Sequence, residues 1–269
     1  MKKKGFIIAL AVLCIVGCKE KNVPENDINA GALTGCFTIN DDGEQIVFAQ
    51  GNLQYQATTK TWRFALNQYD IIGQNNTRIA PDYDGWIDLF GWGTGNNPTI
   101  TSTINTDYAT FGEWGANKIS NGGNTANLWR TLTKDEWNYL VYSRSDDTRG
   151  SATVNGVHGY VFLPDLWTTP EGLNFTPSPN NWNINVYSAT EWTAMENAGA
   201  VFLPATGSRD GNEVQELAEQ GEYWSSTPSY AEHAFRMVFG EGTVNTGAYA
   251  RSIGRSVRLV KKYNAPQAH

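Results

Sequence analysis

The sequence predicts an α+β fold from three observations. Two short segments carry helix-start signatures, many short apolar runs are built like strands, and long connections rich in glycine and polar residues separate them. The composition supports a packed core, since 12% of the 269 residues are aromatic and only 17% are charged. Such a chain is too apolar for disorder. No second linker, low-complexity block or heptad pattern interrupts it, so one folded domain is expected over 36–262, followed by a polar tail over 263–269.

The N-terminus reads as an address. Lys2, Lys3 and Lys4 precede an apolar run from Phe6 to Val16, and Gly17-Cys18 closes it. The run is shorter than the roughly 20 residues a membrane span needs. Residues 1–17 are therefore expected to be a secretory signal. Residues 19–35, KEKNVPENDINAGALTG, are polar and aperiodic, and with Cys18 they are expected to form a flexible tether over 18–35. Cys14 leaves with the signal, so Cys36 finds no partner for a structural disulfide. Loss of the three lysines takes the formal charge from −7 to −10. An acidic chain without a basic stripe argues against a nucleic-acid partner.

The elements follow in order. QIVFAQ places Ile46 and Phe48 on one face, and TWRFAL places Trp62, Phe64 and Leu66 on one face, as half-buried strands do. GWIDLFGWGTGNN is a loop dense in Trp and Gly. In TLTKDEWNYLVY, Thr133 stands three residues before Glu136, the capping-box spacing, with Trp137, Leu140 and Val141 on one face. YSATEWTAMENAG repeats the device with Ser188, Glu191, Trp192 and Met195, and stops at Gly199. YVFLPD from Tyr160 and AVFLPA from Ala200 are near-identical strand signals. AFRMVFG alternates, sending Met237 and Phe239 to one side and Arg236, Val238 and Gly240 to the other. RSVRLV closes on a strand, with Val257, Leu259 and Val260 apolar around Arg258. Between these two strands, GTVNTGAYARSI shows neither a helical nor a strand period.

Residues with recognisable chemistry are sparse. His158, His233 and His269 are too dispersed for metal ligation. NGGN, Asn121 to Asn124, lacks the strand and helix that a phosphate loop needs and reads as a turn. Asp82, Asp84 and Asp88 surround Gly85 in a pattern faintly like a calcium loop, without the glutamate that closes an EF-hand. Carboxylates capping turns are the simpler reading there. Trp62, Trp137 and Trp192 occupy core positions, so Trp content alone does not point to sugar stacking.

Five segments carry resemblances. IVGC, ending at Cys18, resembles a bacterial lipobox, which implies acyl chains on Cys18 and a membrane anchor without a spanning helix. WRTLTKDEWNYL resembles a segment of the formylglycine-generating-enzyme family, which has a variant C-type-lectin fold with two short helices among many short strands. GEYWSST, AFRMVF and RSIGRSVRLV are similar to the close of that superfamily and of many Bacteroidetes surface lipoproteins. The match covers most of the region from Trp129 to Val260, while the half from Cys36 to Asn124 matches only the lipoproteins. It implies a C-type-lectin-like domain anchored at the bacterial outer membrane and exposed at the cell surface. The family's oxidases bind copper through a cysteine pair near the C-terminus, and this chain has no cysteine after Cys36. Formylglycine-generating activity is therefore not expected, nor is a resident cofactor.

Lectin-fold proteins diversified by retroelements keep their strands and vary ligand-facing positions near the C-terminus, at codons that never yield Glu, Lys, Gln, Met or Trp. Matched to that pattern, the candidate ligand-binding positions are Arg236, Val238, Gly240, Thr243, Asn245, Gly247, Ala248, Tyr249, Ala250, Ser252 and Ile253. All belong to the reachable set and are expected to face solvent over buried Met237, Phe239, Val257 and Leu259. The expected function is non-enzymatic binding of a protein or glycan by a surface lipoprotein. A subunit of a surface appendage and a carbohydrate hydrolase or esterase are the alternatives. The first should show an assembly strand, and the second a pocket of convergent titratable groups.

Overall fold

The computed structural model describes residues 29–177 and 181–264. Two hairpins open this part of the chain. β1 (Ala32–Thr38) pairs with β2 (Gln45–Ala49), and β3 (Leu53–Gln56) pairs with β4 (Thr61–Phe64) and with the two-residue β5 (Trp86–Ile87). A long connection leads to α1 (Lys134–Asn138), which widens into a π-helical turn over Tyr139–Ser143. Next come the hairpin β6 (Arg149–Val154) and β7 (Val157–Phe162), then β8 (Val186–Tyr187), α2 (Ala189–Asn197) and β9 (Val201–Pro204). A small hairpin, β10 (Ser208–Asp210) with β11 (Glu213–Gln215), precedes the meander β12 (Gln220–Pro228), β13 (His233–Gly240) and β14 (Thr243–Ala250). β15 (Val260–Lys262) returns to pair with β2. Small sheets with few short helices make this an α+β fold, as the local patterns predict.

Both helices start where their caps are. Thr133 Oγ1 accepts the Glu136 N–H at 3.2 Å and the Glu136 carboxylate accepts the Thr133 N–H at 2.7 Å. Ser188 and Glu191 repeat the exchange. Each box satisfies N–H groups that a helix start leaves without partners. Trp137, Trp192 and Met195 are fully buried. Beyond α2, Gly199 adopts φ 101, and its backbone lies against Gly35 on β1 so closely that a side chain at Gly35 would overlap the Gly199 carbonyl.

The look-alike strands pair with each other. β7 and β9 run antiparallel with Tyr160 opposite Leu203 and Phe162 opposite Val201. One face of their sheet packs Tyr160, Phe162, Val201 and Leu203 against Phe37, Phe48, Trp137 and Phe239. The other packs Val161 and Phe202 against Trp192 and Met195 of α2. A sheet buried on both faces accounts for continuous apolar runs where alternation would mark a solvated face. A further cluster gathers Trp62, Phe64, Phe90, Trp92, Trp114, Trp129 and Trp224 with Val257 and Leu259.

Four expectations are corrected. Strand structure begins at Ala32, so Ala32 to Gly35 are packed residues and not tether. β2 is buried on both faces, Val47 included, because it is the central strand between β1 and β15. Leu66 is 67% exposed, because β4 ends at Phe64 and the chain turns away through Asn67, whose N–H donates to Asp70. TVNTGAYA is a regular eight-residue strand, β14, while Val257 to Leu259 belong to none. Arg258 is 1% exposed. Its guanidinium donates to the carbonyls of Ala49 and Phe202 and to Asn52 Oδ1, so the charge is fully engaged by acceptors.

Candidate functional site: the outer face of the C-terminal meander

The register of β12, β13 and β14 sorts the C-terminal residues onto two faces. Phe239 lies opposite Gly221 and Val244, and Met237 opposite Tyr223 and Thr246. Tyr223, Met237 and Phe239 belong to the core, as do Val257 and Leu259 elsewhere in it. At the strand edge, the Thr246 N–H donates to the Tyr142 hydroxyl at 3.0 Å. On the opposite face, Arg236 lies between Trp224 and Gly247, and Val238 between Glu222 and Asn245.

A buried charge cluster underlies that outer face. Glu222 is 3% exposed, and its Oε2 accepts Nε–H from both Arg236 and Arg255. Arg255 also donates to the Ala250 carbonyl at 3.2 Å, and its guanidinium carbon lies 4.4 Å from the Trp224 ring centre. Burial pushes the Arg255 guanidinium down to about 10, with Glu222 opposing the shift. Tyr249 rests on both cations, 5.0 Å from Arg236 and 4.8 Å from Arg255. Its ring remains 49% exposed. The arrangement is an aromatic side chain of large contact area, held from beneath by two guanidinium groups that share one carboxylate.

The candidate positions do not behave alike. Thr243, Asn245 and Tyr249 are exposed, and alternation along β14 puts them with Gly247 on one face. Arg236, Gly247, Ala248, Ala250 and Ile253 are half-buried, with Ala248 and Ala250 on the face toward α1. Val238, Gly240 and Ser252 are buried, against expectation. Val238 is 6% exposed because it sits on the central strand of the meander between Glu222 and Asn245. Gly240 pairs with Gln220 and Thr243 at the closed end of the hairpin. Ser252 is 4% exposed because its N–H donates to Asn105 Oδ1 on a distant loop. Neighbouring Arg251 ties that region together, donating to the carbonyls of Ala109, Tyr230 and His233 and lying over Trp92.

A family model described as a domain of unknown function (DUF8237) matches residues 179–260. The matched stretch contains Glu222, Arg236, Tyr249 and Arg255. No curated protein and no solved structure matches the chain.

The charge cluster was invisible to pattern reasoning. Glu222 and Arg255 lie inside GEYWSST and GRSVRLV, which read as framework, and their only signal is a charged residue within an otherwise buried motif. Elsewhere, Asp82 and Asp84 are exposed while Asp88 is fully buried, its carboxylate accepting from Asn76 Nδ2 and the Ile72 N–H. Burial raises Asp88 to about 6. Among the described residues no three His, Cys, Asp or Glu side chains are grouped to hold a metal ion. Cys36 is a free, half-buried thiol pushed up by burial and by Asp165. His158 stacks on Trp182 at 5.1 Å, and Asn121 to Asn124 form a turn. Cys18 and His269 lie outside the described residues.

Proposed function

We propose that the protein is a lipid-anchored surface receptor with a C-type-lectin-like domain, binding a protein or glycan through the outer face of β13 and β14 without transforming it. In this reading Cys18 carries the lipid, the anchor sits in a bacterial outer membrane, and the meander faces outward. One observation carries the binding role: Tyr249 stands half out of the surface on a fixed pair of guanidinium groups. An anchored aromatic offers large area and a polar tip while losing little rotamer freedom on binding. Thr243 and Asn245 extend the same face with adaptable hydrogen-bonding groups. Met237, Phe239, Val257 and Leu259 are fully buried, a framework that tolerates change above it. Diversification by a retroelement would fall on Thr243, Asn245, Gly247, Tyr249 and Ile253 and spare buried Val238, Gly240 and Ser252.

Two experiments test this reading. Gene copies from different isolates should differ at adenines in the codons of the exposed positions and agree in those of Glu222 and Arg255. Screening on a glycan array and against displayed surface proteins should find a ligand that Asn245→Ala/Tyr249→Ala loses by about tenfold or more. A ligand bound equally well by that variant would take the site away from the meander.

A further inference from the structure

A second cleft, of about 280 Å³, is lined by Tyr55, Lys60, Trp62, Asn96, Asn117 and Lys118, with Gly95 and Pro98 in its wall. It shares no residue with the meander. Its floor is the aromatic pair Tyr55 and Trp62, with ring centres 4.6 Å apart on neighbouring strands β3 and β4. The two side chains are only 8% and 6% exposed. Yet neither the Tyr55 hydroxyl nor Trp62 Nε1 makes a hydrogen bond among the described residues. Neither is a sealed orphan like Trp114 Nε1, so each atom reaches solvent. A ligand seated on the pair can take over two donors that no protein acceptor holds.

The rim adds charge of one sign. Lys60 and Lys118 are exposed and enter no ion pair among the described residues. No carboxylate lines the cleft. The nearby Glu113 presses its backbone carbonyl against Gly95, where a side chain would clash at 2.5 Å, but turns its carboxylate to Thr131 and the Gly115 N–H. Lys60 has φ 52, a left-handed conformation in a tight hairpin turn where glycine or asparagine is favoured.

Acceptors complete the chemistry. Asn117 gives its Nδ2 to the carbonyls of Gly95 and Trp114, which leaves its Oδ1 open, and the Asn96 amide makes no hydrogen bond among the described residues. A ligand made only of acceptors, such as sulfate, would leave Asn117 Oδ1 unused. Hydroxyl groups both donate and accept, and a carboxylate suits two ammonium groups. We infer that this cleft binds a single sugar ring bearing a carboxylate, of the uronic or sialic acid type. Its volume of about 280 Å³ falls just below ordinary ligand sites, which run from roughly 300 Å³ upward, and suits one ring at most.

Calorimetric titration of the full chain with glucuronate and N-acetylneuraminate, against glucose and inorganic phosphate, tests the inference. At least one acid should bind about tenfold or more tighter than either control. Lys60→Gly/Lys118→Ala should lose that binding about tenfold without lowering the melting temperature, since both side chains are exposed and glycine relieves the φ at position 60. Tyr249→Ala should leave it unchanged, which separates this cleft from the meander. Three results would overturn the assignment: no binding of either acid, phosphate binding as tightly as the acids, or undiminished binding by the double variant.

Discussion

The guanidinium carbon of Arg255 lies 4.8 Å from the centre of the Tyr249 ring, so a half-exposed aromatic rests on a cation that is 1% exposed. Glu222 holds that cation and Arg236 together. Glu222→Gln would leave two guanidinium groups without their counter-charge and should cost about 3–5 kcal/mol in urea unfolding. Tyr249→Ala removes only the cation–π contacts from above and should cost about 1 kcal/mol. Equal losses for the two variants would show that the carboxylate is not the keystone of the site.

Asp88 supplies a pH dependence of unusual sign. Its folded pKa of about 6 exceeds the ordinary 3.8, because burial disfavours the carboxylate more than its hydrogen bonds favour it. Between pH 4 and 6 the folded state therefore binds more protons than the unfolded one. Asp88 then destabilises the fold increasingly as pH rises through that window, by about 3 kcal/mol in full. Asp88→Asn should remove this trend, so the stability difference between wild type and variant should change with pH from 4 to 6 and be flat above 7. A constant difference across that range would place the titration elsewhere.

Trp137 follows the Thr133 cap, is fully buried, and donates Nε1–H to the Trp224 carbonyl at 3.3 Å. Trp137→Ala should cost about 3–5 kcal/mol, as large-to-small changes in a closed core do. A loss below about 1 kcal/mol would mean that the site collapses around the vacancy far more freely than its packing suggests.

The proposed anchor has its own test. Cys18→Ser should move the protein from the membrane fraction to the soluble one, since the chain then lacks the only lipid attachment expected of it. Retention of that variant on membranes after a high-salt wash would disprove the lipoprotein reading.

What was legible in the sequence was local. Thr133 with Glu136 and Ser188 with Glu191 set both helix starts through contacts three residues apart, and those starts hold. β14 was missed because its small residues are half-exposed on both sides, so no alternation of apolar and polar marks the strand. Val238 and Ser252 were misjudged as solvent-facing because burial there comes from Glu222 on a neighbouring strand and Asn105 on a remote loop. The same distance hid the Glu222 cluster and the cleft at Tyr55 and Lys118, whose members lie up to 63 positions apart.

The return of the C-terminal segment through the whole structure has a consequence for the order in which the molecule can be completed. Arg251 bonds to Trp92, Arg255 to Phe90, Val257 to Leu53, Leu259 to Ala49 and Val260 to Arg130, all through the backbone. The N–H groups of Ala49, Leu53, Phe90, Trp92 and Arg130 thus stay open until this segment is in place. Closure joins residues about 130 to 210 positions apart, and such long-range pairing slows folding. The pairing of the N-terminal hairpins is therefore complete only when the segment from Arg251 to Val260 is in place.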